Sequence, residues 1–267
     1  MEKLQQKVRE LLQDQIVDLV IGYEQVTNGE VRPAFIRTPE QTDRLYYSNE
    51  CVQNLVVYLS KKELKKFKKV ALVAPVSILK NLIILAGEHQ ITDQNVKVLG
   101  VNQENDLIEF NNFKEIESYI KEHQLGASPQ EKTLLEELEK MTAQQRWEFW
   151  QNQFSKCFKC YACRAVCPSC YCSRCTVESN QPQWIYTAPH ALGNFEWHLM
   201  RAMHLAGRCS NCGACARACP MDIPLNLLNL KTSQELAKNF NFHAGFSAEQ
   251  PYVLSHFRAE DKENFIE

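Results

Sequence analysis

The sequence predicts an α/β unit followed by a helical, cysteine-rich unit. Three observations carry that expectation. Apolar strand-like runs alternate with amphipathic helical stretches up to residue 101. From residue 113 the apolar spacing is helical, not strand-like. Eleven of the twelve cysteines fall between Cys157 and Cys219, with Cys51 as the twelfth.

The elements follow in order. Leu4, Val8, Leu11 and Leu12 share one face of an opening helix. Residues 16–22 read as a buried strand and 34–38 as a short second one. Ser48 is a suitable N-cap for a helix burying Val52, Leu55, Val56 and Leu59. Residues 70–74 form a clear strand, and Pro75 and Ser77 end it and start a helix that buries Ile78, Leu82 and Leu85. Residues 96–101 are a further strand. Strand, helix and strand at this spacing predict three layers around a small, mostly parallel sheet over residues 1–112. Residues 113–141 read as a helical linker with a break at Gly126–Pro129. The remainder, 142–267, opens with Thr142 and Gln145 as a capping box and a core stripe of Trp147, Trp150 and Phe154.

Composition bounds the function. A formal charge of −2 gives no electrostatic footprint for nucleic acid. The opening MEKLQQKVRELLQDQ is polar and unlike a secretory signal, and runs such as 70–76 and 82–86 are too short to span a bilayer. The expectation is a cytoplasmic protein with no membrane span. Cytosolic thiols stay reduced, so clustered cysteines there point to metal ligation and not to disulfides.

The cysteine spacing is specific. Cys157-x2-Cys160-x2-Cys163-x3-Cys167-Pro168 recurs as Cys209-x2-Cys212-x2-Cys215-x3-Cys219-Pro220. This is the spacing of bacterial two-cluster ferredoxins, in which the fourth cysteine of each run ligates the other cluster. It predicts one 4Fe–4S cluster on Cys157, Cys160, Cys163 and Cys219, and a second on Cys209, Cys212, Cys215 and Cys167. Structural zinc instead favours paired Cys-x2–4-Cys hooks.

Residues 168–208 separate the two runs and hold a helix over 194–207, with Phe195, Leu199, Ala202 and Leu205 on its inner face and Gly207 at its end. His198 and His204 read as surface or core-edge residues of that helix. The spacing resembles the α-helical ferredoxin arrangement of succinate dehydrogenase iron–sulfur subunits and heterodisulfide reductase small subunits. Lys156, Lys159, Arg164, Arg174, Arg208 and Arg217 crowd the runs and are positioned to offset anionic clusters or to serve as solvated surface.

Cys170, Cys172 and Cys175 are left over. With Cys51, in the first turn of its expected helix, they make a fourth-ligand-complete set for a possible third 4Fe–4S cluster. Zinc at the same place, or free buried thiols, are the competing readings.

Three stretches carry a wider resemblance: CFKCYACRAVCPSCYCSRC, WHLMRAMHLAGRCSNCGACARACP, and the α/β segments NECVQNLVVYL and KKVALVAPVSILKNLIILAGEHQI. Through them the chain resembles the beta-subunit family of deazaflavin-reducing hydrogenases and formate dehydrogenases, in particular relatives serving heterodisulfide-reductase-like machinery in anaerobes. The resemblance implies electron relay between a catalytic oxidoreductase subunit and other redox subunits of a hetero-oligomer. Some family members bind FAD in the α/β domain. Here Pro75-Val76-Ser77 stands where members often carry glycine and cysteine, and no glycine-rich phosphate loop occurs. With 48 residues after Cys219, no separate flavin domain is expected either, which argues against bound FAD. No catalytic residue is expected, because Ser and His lie in no recognised catalytic motif. The rival functions are a flavin-bearing reductase acting on a deazaflavin or nicotinamide, and a zinc-stapled interaction module.

Overall fold

The computed structural model describes residues 1–123 and 128–253. Its first unit is a five-stranded sheet. Helix α1 (Glu2–Gln13) leads into β1 (Leu19–Gln25) and β2 (Val31–Ile36). Strand β3 (Val70–Pro75), helix α2 (Leu79–Gly87), strands β4 (Val96–Val101) and β5 (Leu107–Phe110), and helix α3 (Phe113–Glu122) follow. The strand order is β2-β1-β3-β4-β5.

The sheet is mixed and not mostly parallel. β1, β3 and β4 run parallel, while β2 and β5 pair antiparallel at the two edges. Connection length is the physical reason. Residues 26–30 join β1 to β2 and residues 102–106 join β4 to β5, whereas a parallel partner needs a crossover of a dozen or more residues. Such a crossover exists between β3 and β4, where it is built on α2. Strand β5 was not expected from the sequence, being only four residues long.

The three-layer arrangement does form. Ala71 and Val73 of β3 face one side and pack with Leu4, Val8, Leu11 and Leu12 of α1. Leu72 and Ala74 face the other side and pack with Leu79, Leu82 and Ile83 of α2 and Ile116 and Ile120 of α3. The alternation is the two-residue period of a strand covered on both faces.

The helix expected from Ser48 does not form. Residues 48–54 turn irregularly, and one 3-10 turn spans Leu55–Tyr58. Asn54 decides this. Its side-chain oxygen accepts from Val56 N at 3.2 Å, and its amide donates to Asn81 Oδ1 of α2 at 2.7 Å. A short polar side chain offers the backbone a local alternative to helix. Leu55 and Val56 are buried as expected, but Val52 is exposed.

The second unit is helical. α4 (Pro129–Lys140) starts at a capping box of Ser128 and Glu131 with Pro129 in its first turn. Gly126 of the expected break lies outside the described residues. α5 (Ala143–Ser155) starts at the capping box of Thr142 and Gln145. The one-turn helix α6 (Ala162–Ala165), then α7 (Ala191–His204), the one-turn helix α8 (Ala214–Arg217) and α9 (Leu225–Phe240) complete the unit. Phe154 of α5 is buried, stacks on Trp150 and His198, and joins the core around the cysteine loops. Trp147 is exposed, with its ring edge-on to Phe195.

Two contacts clamp the units together. Asn81 Oδ1 of α2 accepts from Asn54 and also from Ser210 Oγ at 2.8 Å. At the end of α2, the Glu88 carboxylate takes both Nε and Nη2 of Arg208, and Nη2 also donates to Ser169 O. Glu88 and Arg208 are largely shielded from water, and breaking one member of such a pair leaves the other charge uncompensated. We expect Glu88→Ala to lower stability by about 3 kcal/mol, measured as the shift of the urea unfolding midpoint under anaerobic conditions.

Candidate metal centre

The two cysteine runs share a backbone as well as a spacing. In the first, Lys159 and Tyr161 adopt left-handed conformations with φ of 58° and 59°. In the second, Asn211 and Gly213 do so with φ of 60° and 70°. These are the same two positions relative to the first cysteine, and each loop then enters a one-turn helix, α6 or α8. Successive reversals of this kind turn backbone amides inward. Lys159 N donates to Cys157 Sγ at 3.4 Å, and Asn211 N donates to Cys209 Sγ at 3.4 Å. Asparagine and glycine tolerate this conformation, and Tyr161 holds it while its ring packs edge-on against Trp197.

The loops meet because α6 and α8 pack against each other. One cavity is lined by Cys157, Cys160 and Cys163 from the first run and by Cys219 from the second. On the other side, Cys209 lies close to Cys212 and Cys215, and Cys167 of the first run lies close to Cys209. The first cavity thus combines three thiols of one run with the last thiol of the other, and Cys167 neighbours the first thiol of the second run. Among the described residues, no three His, Cys, Asp or Glu side chains converge as ligands of one metal ion do.

Burial governs the thiols. Cys163 and Cys215 are buried, while Cys160 reaches the surface. Burial pushes the Cys163 thiol up to about 12, against the pull of the Arg201 guanidinium nearby. Burial likewise raises Cys157 and Cys215. A buried thiol becomes a thiolate only beside concentrated positive charge, which iron supplies.

Helix α7 lines the thiol cavities, and its inner face is only partly the expected one. Asn194, Trp197, His198, Arg201 and Ala202 are buried, whereas Leu199 is exposed. Ala202 and Leu205 of the expected stripe are buried, but its first half is shifted by about one residue because the helix packs polar side chains toward the cysteine loops. Asn194 Nδ2 donates to Phe154 O at 3.0 Å and Cys157 O at 2.7 Å, which fixes the start of the first loop. His198 is buried, not at the surface, and burial first, then Arg201 and Lys159, push it down to about 3, so it stays neutral. His204 is exposed.

Arg201 is the residue that sequence reading missed. Its Nη2 donates to Cys163 O at 2.9 Å, and its guanidinium lies over the Trp197 ring at 5.9 Å. Burial alone would lower its pKa, but Cys167, Cys170, Cys163 and Cys215 around it reverse that and hold it charged. The available signal was the spacing of Asn194, Trp197, His198 and Arg201 at i, i+3, i+4 and i+7, a polar stripe at core periodicity. The basic residues that were expected to offset the clusters mostly serve the loops. Arg164 pairs with Glu178 at 2.6 Å, Arg208 with Glu88, Arg217 donates to Val52 O, and Lys159 to Tyr186 O. Lys156 and Arg174 are exposed.

The donor set can be tested against the group it would hold. Trp197 Nε1 and Arg201 Nε are buried donors with no acceptor in the protein, and buried donors are rarely left unpaired. Trp197 lines the cavity of the first thiol set. A sulfide-bearing cluster brings acceptors to these walls, and four thiols per set match its ligand number. The residues fit 4Fe–4S clusters.

The remaining thiols separate. Cys170, Cys172 and Cys175 line one further cavity with Arg164, Arg201 and Arg208. A hydrogen bond with Cys167 pulls the Cys170 thiol down to about 6 and raises Cys167. Cys51 stands elsewhere. It is buried, accepts from Ser48 N at 3.3 Å, and lines a different cavity of about 390 Å³ with Cys212, Lys80 and Arg217. With no helix starting there, no helix terminus favours its thiolate, and burial raises its pKa.

Comparison with known proteins agrees with this chemistry. Residues 156–224 match the family described as a 4Fe-4S dicluster domain. Over 78 residues the chain is 38% identical to the F420-dependent formate dehydrogenase subunit beta of Methanocaldococcus jannaschii. That stretch covers 29% of this chain and 20% of the relative, so the chain matches about a fifth of that subunit's length. No helix among the described residues is long and apolar enough to cross a membrane. The chain is thus an iron–sulfur protein, similar over residues 156–224 to a 4Fe-4S dicluster domain and over a 78-residue stretch to part of a formate dehydrogenase beta subunit.

Proposed function

We propose that this chain is an electron-transfer subunit of a larger anaerobic oxidoreductase complex, relaying electrons through two 4Fe–4S clusters. Its partners are a catalytic subunit of the hydrogenase, formate dehydrogenase or heterodisulfide-reductase-like class, and further redox subunits. One observation carries the reading most: thiols from both cysteine runs, Cys157, Cys160, Cys163 and Cys219, line a single cavity. Cluster I is assigned to these four, and cluster II to Cys209, Cys212, Cys215 and Cys167.

The clusters supply the one-electron chemistry. The chain's own residues hold and shield them. Asn194 pins the first loop, backbone amides donate to Cys157 and Cys209, and Trp197 with Phe154 keeps water from the thiols. No side chain is asked to act as acid or base.

A third cluster is proposed on Cys170, Cys172 and Cys175, which share one cavity. Cys51 is the fourth ligand expected from the sequence, and it stands in another cavity. A second reading, a flavin-bearing reductase subunit, is favoured by one observation. The cavity of about 390 Å³ opens at the carboxyl ends of parallel β3 and β4, bounded by Pro75, Val76 and Val101, and reaches Cys212. Ligands in open α/β sheets bind at such ends. Flavin released by heating the anaerobically purified protein would favour this reading over a pure relay.

Two measurements test the assignment. Iron and acid-labile sulfide should each reach about eight per chain for two clusters, or about twelve with the third loaded. If Cys51 reaches the third site, Cys51→Ser lowers twelve to eight. Crossed ligation is tested separately by low-temperature paramagnetic resonance of the reduced protein. Cys167→Ser should perturb the same cluster signal as Cys212→Ser, and Cys219→Ser the same signal as Cys160→Ser. The opposite pairing would show that each run closes its own cluster.

A further inference from the structure

Arg201 occupies a position that none of the other basic residues shares. It projects from the inner face of α7, is buried, donates to Cys163 O, lines one cavity with Cys170, and stands close enough to Cys163, Cys215, Cys167 and Cys170 for thiols of every set to act on its charge. Among the described residues it has no carboxylate partner within ion-pair distance. Arg164 and Arg208, by contrast, are neutralised by Glu178 and Glu88. Its Nη2 is anchored on Cys163 O, its guanidinium lies over Trp197, and its Nε–H has no acceptor in the protein.

We propose that Arg201 is the shared counter-charge of the relay, a positioning residue whose one guanidinium raises the reduction potentials of both clusters together. The proposal rests on the cluster assignment given above. A four-thiolate cluster gains negative charge on reduction, and net charge, hydrogen bonding and burial set its potential. A fixed cation in a water-poor setting acts at full strength, because neither solvent nor salt screens it well. Guanidinium is suited to this role because it stays charged at any working pH and presents several donors in one plane. Because the same cation faces both sets, it acts on both in the same sense, which an exposed lysine beside one loop does not.

The test is an anaerobic redox titration, followed by paramagnetic resonance, of wild-type protein and three variants. In Arg201→Gln both midpoint potentials should fall. Each should fall far enough to change the oxidised-to-reduced ratio at a fixed potential about tenfold, which is about 59 mV for one electron. Arg201→Lys keeps the charge and should recover at least half of that shift. Arg9→Gln, at a half-exposed arginine of α1 that pairs with Asp43, should move neither midpoint. A shift of only one cluster in Arg201→Gln, or of none, overturns the proposal. So does Arg201→Lys displaced as far as Arg201→Gln, since the effect would then follow shape and not charge. If Arg201→Gln fails to retain its clusters, Arg201→Lys decides: near-native potentials support the proposal, and equal loss of clusters overturns it. Wild-type protein without acid-labile sulfide is a distinct outcome, which removes the cluster assignment itself and this proposal with it.

Discussion

A charge placed where water cannot reach it costs several kcal/mol unless something nearby repays the lost hydration. Arg201 is such a charge, and what surrounds it is sulfur. The rest of the cysteine-rich unit follows from that placement. Helix α7 must turn a polar face inward to deliver the guanidinium, so Asn194, Trp197 and His198 come with it. Asn194 then fixes the first loop, Trp197 closes a cavity wall, and His198 stacks on Phe154 as a neutral ring. A helix that read as an ordinary amphipathic connector lines the thiol cavities.

The duplicated loops show how little sequence is needed to repeat a backbone. Apart from the cysteines and the alanine after each second left-handed residue, the two runs share few side chains. Lys159 and Tyr161 nevertheless take the conformations of Asn211 and Gly213. The common cause is the requirement that three thiols face inward over seven residues while an amide points at the first sulfur. Tyr161 accepts a conformation that glycine adopts freely because its ring gains contact with Trp197.

The α/β unit is joined to this centre through polar contacts on one helix. Asn81 and Glu88, both at or beside α2, reach Ser210 and Arg208, the residues flanking Cys209. A sheet whose central strands are covered on both faces is a stiff support, and α2 transmits that stiffness to the second cysteine loop. The chain also returns after α9: Ala248 N donates to Glu117 of α3 at 2.7 Å, and Phe246 lies against Lys80. The segment after α9 is therefore also held on the first unit.

Much of this was legible in the linear chain. Capping boxes at Thr142 and the apolar stripe of α1 are local, because their partners lie within a turn or two. The thiol spacing is local as well, and so the chemistry of the centre could be read from residues 157–175 and 209–219. What the chain alone left open depends on partners distant in sequence. The edge strands became antiparallel because of connection lengths, Asn54 prevented a helix by reaching Asn81, and Cys51 came to lie beside Cys212 and apart from Cys170, Cys172 and Cys175. The buried face of α7 was decided by where the cysteine loops stand, since periodicity marks two possible stripes and only packing chooses between them. Sequence by itself determined the spacing of the thiols and the cluster chemistry that spacing implies. Tertiary structure alone decided that Cys51 lies apart from Cys170, Cys172 and Cys175 and that Arg201 is buried beside thiols, because burial and charge are properties of neighbours in space.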